Sequence, residues 1–334
     1  MDFQSLTYIA WALLFVLLSV ISAFACKYVT MRIILVSIFV YPFIFAALFF
    51  IFRHHTIVNS GNKTAFFERF KVGAHRGSHY GNIPENSLEA FAAAKMEGAQ
   101  LVEMDLQTTS DGVAVICHDP NTLAVTGVDR EISKMTLAEF KQLRFTLNNG
   151  SLPTFEEAVE WCVQNDMMML WDIKDVTDNM TSTFSKLIQI NNLYGKVIVS
   201  GFNPIDIYKV KSRDPNILTG FTYRSSELST VDEDGVKPRF QGILHVIALM
   251  VDNVLTALVK SFAMPTFLGA DMLLFHCNDV SRYGAMEARR NDMYMAAWTS
   301  NIREEMEFFL NYLHVPFLTD DARLAGRVAR NLTP

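Results

Sequence analysis

The chain opens with two unbroken apolar runs, Leu6 to Ala25 and Ile33 to Phe52, and neither holds a charged residue. A helix needs about 20 apolar residues to cross the hydrocarbon core, so each run is long enough. Cys26-Lys27-Tyr-Val-Thr-Met-Arg32 joins them, and Arg53-His54-His55 closes the second. The expectation is a transmembrane helical hairpin over residues 1–53, followed by a polar linker over 54–70. A single anchor and a cleaved signal are the rivals; a signal would carry a shorter apolar core and a small-residue cleavage site.

After residue 70 the pattern becomes short apolar stretches alternating with amphipathic ones. Strands are expected at 71–75, 101–106, 113–117, 168–173, 197–200, 217–221, 272–275, 293–298 and 315–319. Between them, Leu88, Phe91, Ala92 and Met96 keep helical spacing, as do Phe155, Ala158, Val159 and Cys162, and Phe184, Leu187 and Ile188. Thr154 with Glu157, and Asn301 with Glu304, have the spacing of a capping box. Strands alternating with helices imply a parallel sheet, either doubly wound or closed.

Candidate chemistry separates these two. His75, Glu103/Asp105, His118, Asp172/Lys174 and Trp298 each lie at or near the end of a different strand. A barrel brings all strand C-termini to one face, and its usual length matches the 71–330 region. The expected fold is therefore α/β, a (β/α)8 TIM barrel carrying an apolar helical insertion at about 225–271. The interruptions Asp252, Asn253, Lys260 and Pro265 argue against a third clean span there. Interfacial helices or an apolar substrate entrance fit better, with buried barrel helices as the alternative.

Glu103 and Asp105 are two apart, so on a strand they share a side and repel unless a cation lies between them. Oxygen ligands favour Mg2+, with Ca2+ as the second choice. Asp172 could complete the metal shell and Lys174 meet a phosphate oxygen, or the two could form a salt bridge. His75 and His118 suit general acid–base work in phosphodiester cleavage. Arg76 would clamp phosphate or hold Glu85. Glu85 and Asn86 would cap the helix starting near Ser87, and Trp298 would stack on substrate or fill the barrel top. His54, His55, His79, His245, His276 and His314 show no comparable partners and read as structural.

Composition narrows the function classes. Half of the 334 residues are hydrophobic and the net charge is -6, so no basic face for nucleic acid is expected. Cys26, Cys117, Cys162 and Cys277 lack metal-binding spacing and read as buried free thiols. Lys27 and Arg32 favour a cytoplasmic turn, which places the catalytic domain on the lumenal or extracellular side of an integral membrane protein. Sequons at Asn62, Asn149, Asn179 and Asn331 suit that side.

His75-Arg76-Gly77, Pro84-Glu85-Asn86-Ser87, Glu103-Met-Asp105, Ser110-Asp111-Gly112 and His118-Asp119 resemble the glycerophosphodiester phosphodiesterase family, from about Val72 to Ala325. The resemblance implies a TIM barrel that hydrolyses glycerophosphodiesters to glycerol 3-phosphate and an alcohol with a divalent cation. His75 and His118 would be its acid/base pair, Glu103 and Asp105 its metal ligands, Lys174 its phosphate contact, and Trp298-Thr299 its substrate border. The third ligand, commonly Glu, falls on Asp172, one methylene shorter. The N-terminal runs, Asp-Ile-Lys, the insertion and Asp234-Gly-Val-Lys-Pro-Arg239 are similar to the animal membrane branch. That similarity implies glycerophosphoinositol or lysophospholipid substrates, cleaved in lysophospholipase D fashion at a lipid bilayer. An inactive membrane scaffold and a phospholipase C-like enzyme are the alternatives.

Overall fold

The computed structural model describes residues 20–21, 28–55, 60–232 and 235–330. It divides into two compact units, Met1–Arg53 and His54–Pro334. In the first, Val29–Phe52 is a 24-residue helix (α1) that is long and apolar enough to cross a membrane. The first arm of the expected hairpin lies largely outside the described residues.

The second unit is the barrel. Its strands are β1 (Val72–Ala74), β2 (Leu101–Thr108), β3 (Ala114–Ile116), β4 (Met168–Ile173), β5 (Val197–Gly201), β6 (Leu218–Tyr223), β7 (Met272–His276), β8 (Tyr294–Trp298) and β9 (Phe317–Thr319). Eight are parallel, and the β1–β2 and β1–β9 pairings close the ring. The ninth, β3, is the exception. It pairs antiparallel with β2 outside the ring and roofs a satellite core of Val115, Ile132, Phe140 and Phe145. Short apolar stretches look alike whether they join the ring or flank it.

Strand parity sorts the side chains. Leu101, Met168, Leu170, Ile198, Leu218, Met272, Leu274 and Leu318 point inward and fill the barrel. Their alternates, including Val102, Met104, Trp171, Val199 and Phe275, face the surrounding helices. The interior is narrow: a Cβ on Gly73 would come within 2.5 Å of Leu318.

The longer helices of this unit are α2 (Ser60–Arg69), α3 (Leu88–Glu97), α4 (Phe155–Gln164), α5 (Asp178–Ile190), α6 (Pro204–Arg213), α7 (Ile243–Lys260), α8 (Ala263–Leu268), α9 (Arg282–Arg290) and α10 (Ala322–Arg330). The stretch expected as a linker holds α2, whose Phe66 and Phe67, with Phe70 just beyond, join the inward cluster. The polar residues of this stretch masked an i, i+1, i+4 aromatic face. Thr154 and Glu157 form the expected capping box of α4. Ser87 caps α3, which buries Ala90, Phe91, Ala93 and Ala94. Met96, assigned to the buried face, is 81% exposed because the true face runs through the alanines. Cys117 and Cys162 are buried free thiols, whereas Cys277 is only half-buried. Burial pushes the Cys117 thiol up to about 12.

On the N-terminal side of the barrel, Lys211 is fully buried and donates to Asp271 at 2.6 Å and to the Ile217 carbonyl. Asp271 also accepts the Thr219 amide, and Lys63 of α2 lies 3.5 Å away. Removing one partner of such a pair leaves a buried charge uncompensated. Asp271→Ala should therefore lower unfolding free energy by roughly 3–5 kcal/mol, measured by denaturant titration; a loss near zero would show that the pair is dispensable.

Candidate active site

The inward parity that packs Leu101 also aims Glu103 and Asp105 into the barrel mouth. The β2–β4 register sets Asp105 beside Asp172. Oxygens of Glu103, Asp105 and Asp172 lie within 4.8 Å of one another, and all three side chains are buried. Lys174, the next inward position on the β4 side, donates to Asp172 at 2.5 Å and lies 2.8 Å from Asp105. The sequence left metal shell and salt bridge as alternatives for this pair. The structure contains the bridge, and the geometry remains compatible with a shell.

Three buried carboxylates so close together strongly perturb one another. Burial, then Asp105 and Asp172, push Glu103 well above the ordinary carboxylate range. Burial also raises Asp172, against the opposing pull of Lys174. At Asp105 burial is outweighed by Lys174, His118 and Arg76, and the carboxyl is held below its usual value. Asp172 Oδ1 is buried and has no hydrogen-bond partner. An orphaned carboxylate oxygen beside two further carboxylates is what a cation-binding site offers, so the donor set fits a hard divalent ion.

The turn after β1 organises the neighbouring positions. Arg76, at φ 56°, points its amide at Glu103, 2.7 Å away. Its guanidinium donates to Glu85 at 3.2 Å and lies 3.5 Å from Asp105. Gly77 is required here: φ is 80°, and a Cβ would lie 2.6 Å from that of Ala90. Asn86 does not cap α3. Its amide donates to Asp105 at 2.8 Å, and its carbonyl oxygen accepts the Asp105 amide. Ser87 takes the cap because its hydroxyl reaches Ala90 N.

His75 Nδ1 donates to Asp320 at 2.7 Å, and His118 Nδ1 to Asp119 at the same distance. Each imidazole is thus held through its Nδ1. Asp320 was not singled out from the sequence. It follows β9 at an inward position, and only barrel closure brings it to β1. It also accepts from His79 at 3.3 Å, so His79 does have a partner. Burial opposes ionisation of Asp320, but the bonds from His75 and His79 outweigh it and hold the carboxyl far below the usual range. Asn301 is not a helix cap either. It donates to Asp320 and accepts from Thr319 and the Asp320 amide.

One cavity of about 250 Å³ collects these groups, lined by His75, Arg76, Glu103, Asp105, His118, Asp172, Lys174 and Trp298. Glu85 and Asn86 stand behind its wall. Trp298 is 9% exposed and meets Phe202 and His276 edge-on, so it both fills the barrel top and borders the cavity. Arg224, Glu227, Val231 and Arg239 come from the segment after β6 and complete the lining. Arg224 continues the inward parity of β6, a signal the sequence carries; the position of Arg239 depends on the loop's path alone.

The profile of the Glycerophosphoryl diester phosphodiesterase family matches residues 75–324. The chain belongs to this family. Human Glycerophosphodiester phosphodiesterase 1 is 30% identical over 268 residues, covering 76% of this chain and 78% of the human one. Among solved structures, the fold is similar to that of a glycerophosphoryl diester phosphodiesterase from Silicibacter pomeroyi, with TM-score 0.63, 18% identity and coverage of 80% and 98%. It is also similar to a phosphodiesterase from Oleispira antarctica solved with the product sn-glycerol-3-phosphate, with TM-score 0.60, 21% identity and coverage of 80% and 99%. This family member is an enzyme that hydrolyses glycerophosphodiesters, and its barrel is the family fold.

Asp320 acts on His75 by orienting it. Asp320→Asn is expected to lower kcat by about 10- to 100-fold with little change in KM, and to shift the pH–rate profile. Unchanged kcat and profile would remove Asp320 from the site.

Proposed function

We propose that the chain is a divalent-cation-dependent phosphodiesterase. In this reading His75 and His118 exchange protons with substrate, and Glu103, Asp105 and Asp172 hold the ion. The observation that carries it is the convergence of two carboxylate-backed histidines, three buried carboxylates and Lys174 on one cavity. Oxygen donors make Mg2+ the first expectation and Ca2+ the second. When bound, such an ion supplies positive charge against the phosphoryl group.

The remaining steps belong to the protein's own side chains. Lys174 and Arg76 meet the non-bridging oxygens of the phosphodiester and stabilise charge developing there. One histidine removes a proton through Nε2 from the attacker, either water or the substrate's own glycerol hydroxyl, while the other protonates the leaving oxygen. Attack by the hydroxyl gives a cyclic phosphate that water then opens. Asp320 and Asp119 hold the two rings, and Asn86 holds Asp105. The product named with the Oleispira structure supports glycerol 3-phosphate as the retained half of a glycerophosphodiester. The intact acid–base pair argues against a bare scaffold.

Glycerophosphoinositol and lysophospholipids are the proposed substrates, the latter cleaved to lysophosphatidic acid at a lipid bilayer. Support comes from α1 and α7, both long and apolar enough to cross a membrane by length and composition. We further place the barrel, residues 71–330, on the lumenal or extracellular side of an integral membrane protein anchored through residues 1–53. The sequons Asn149 and Asn179 are exposed and Asn62 half-buried, which suits glycan addition.

His75→Ala and His118→Ala should each cut turnover of glycerophosphoinositol at least roughly a hundredfold. Glu103→Gln should abolish the calorimetric signal of Mg2+ binding. Near-normal turnover in both histidine variants, or Mg2+ binding unaffected by Glu103→Gln, would overturn the assignment. For the orientation, glycosidase treatment of protein from animal cells is expected to increase its mobility, and unaltered mobility would count against the lumenal placement.

A further inference from the structure

We propose that α7 is a docking helix that lies in the plane of a lipid bilayer without crossing it, and so brings the cavity mouth to the lipid surface. The proposal rests on the phosphodiesterase reading above and adds the surface through which that site meets its substrate.

The helix has one face for the barrel and a wide apolar remainder. Ala248, Asp252 and Val259 are buried at helical spacing. The outer faces carry Ile243, Leu244, Ile247, Met250, Val254 and Leu258, all exposed. Of the exposed positions in this helix only Asn253 and Lys260 are polar. A helix facing water would carry a polar stripe there, and a contiguous apolar patch marks a surface that something covers. The expectation of buried barrel helices therefore fails for this element.

Covalent geometry names the covering material. The apolar α1 ends at Phe52, and His54, two residues later, is already fixed to the barrel unit. Its amide donates to the Phe267 carbonyl of α8 at 2.9 Å, and its ring bonds Ser212. The helix α8 begins at Ala263, three residues after α7 ends. A membrane anchor that ends at Phe52 is thus tied, through the chain at His54, to α8 and so to the end of α7.

Polar ties on three successive turns keep α7 from crossing that bilayer. Asp252 accepts the amides of Leu228 and Ser229 at 3.0 and 2.8 Å. Thr256 Oγ1 lies 2.6 Å from the Tyr223 hydroxyl, and Lys260 donates to Asp279 at 3.0 Å. The flanking strands β6 and β7 pair with each other in the ring. Spanning would strip these bonds and bury Asp252 in hydrocarbon, whereas an in-plane helix keeps them and sinks only its outer face. The segment that Asp252 clamps also supplies Glu227, Val231 and Arg239 to the cavity wall. An acyl chain can then stay in the leaflet while its phosphodiester enters the cavity.

The test uses the full chain reconstituted in phosphatidylcholine/phosphatidylglycerol vesicles. Bimane is attached at Leu244→Cys, Met250→Cys or Leu258→Cys, and quenching is measured with lipids nitroxide-labelled at shallow or deep positions. All three sites are expected to report the same shallow depth. A deep Met250→Cys between two shallow ends would mean a span, and absence of quenching would mean a protein partner; either result overturns the proposal. In parallel, Ile247→Ser/Met250→Ser/Val254→Ser should lower hydrolysis of vesicle-borne lysophosphatidylethanolamine about tenfold and leave water-soluble glycerophosphoinositol unchanged. Equal losses on both, or none on the vesicle substrate, would also overturn it. A parent chain that hydrolyses neither substrate would instead sink the phosphodiesterase reading, because the depth measurement does not depend on turnover.

Discussion

Mutual repulsion among Glu103, Asp105 and Asp172 is the constraint around which the barrel mouth is arranged. Three carboxylates in a buried site oppose one another, and each neighbour bears on that charge. Lys174 and Arg76 bring cations to Asp105 or Asp172, and the Arg76 and Asn86 turns direct hydrogen bonds at Glu103 and Asp105. The positive φ values of Arg76 and Asn86 belong to this arrangement. Non-glycine backbone held in this left-handed region is strained, and such strain clusters at functional sites.

The rest of the barrel makes this concentration of charge tolerable. Below the carboxylates the inward positions are apolar, ending in the aromatic plug of Phe66, Phe67 and Phe70. That packed interior keeps water out from beneath, so the electrostatic interactions at the mouth stay strong. Charge elsewhere is handled by pairing, as at Lys211 and Asp271 on the opposite side. One fold thus separates a packed, insulating end from a polar, reactive end, which is the division of labour expected of a TIM barrel.

The segment between β6 and β7 adds a second asymmetry. Its first part turns arginines and Glu227 toward the cavity, and its second part, α7, turns aliphatic side chains outward. Asp252 joins the two parts, because its carboxylate holds the backbone of the first from the inner face of the second. Asp252 thus ties α7 to the segment that lines the cavity.

Local pattern alone determined the strands, the Thr154 cap, the carboxylate pair and the two histidines, because period-two alternation and capping are properties of neighbouring residues. The family motifs were legible for the same reason: they are contiguous. Residues whose role depends on closure were not legible. Asp320 reaches His75 across 245 positions because β9 returns beside β1, and Asn301 reaches Asp320 because β8 pairs with β9. Asn86 looked like a cap from its place before a helix, yet its partner Asp105 lies on the next strand. The plug helix read as a linker because its buried face is defined by the barrel interior it fills. What the sequence by itself determined was which residues could do the chemistry and which face of each strand they occupy. Only the tertiary structure decided that Asp320 backs His75, since that pairing is set by ring closure, whereas Asp119 is the chain neighbour of the His118 it backs.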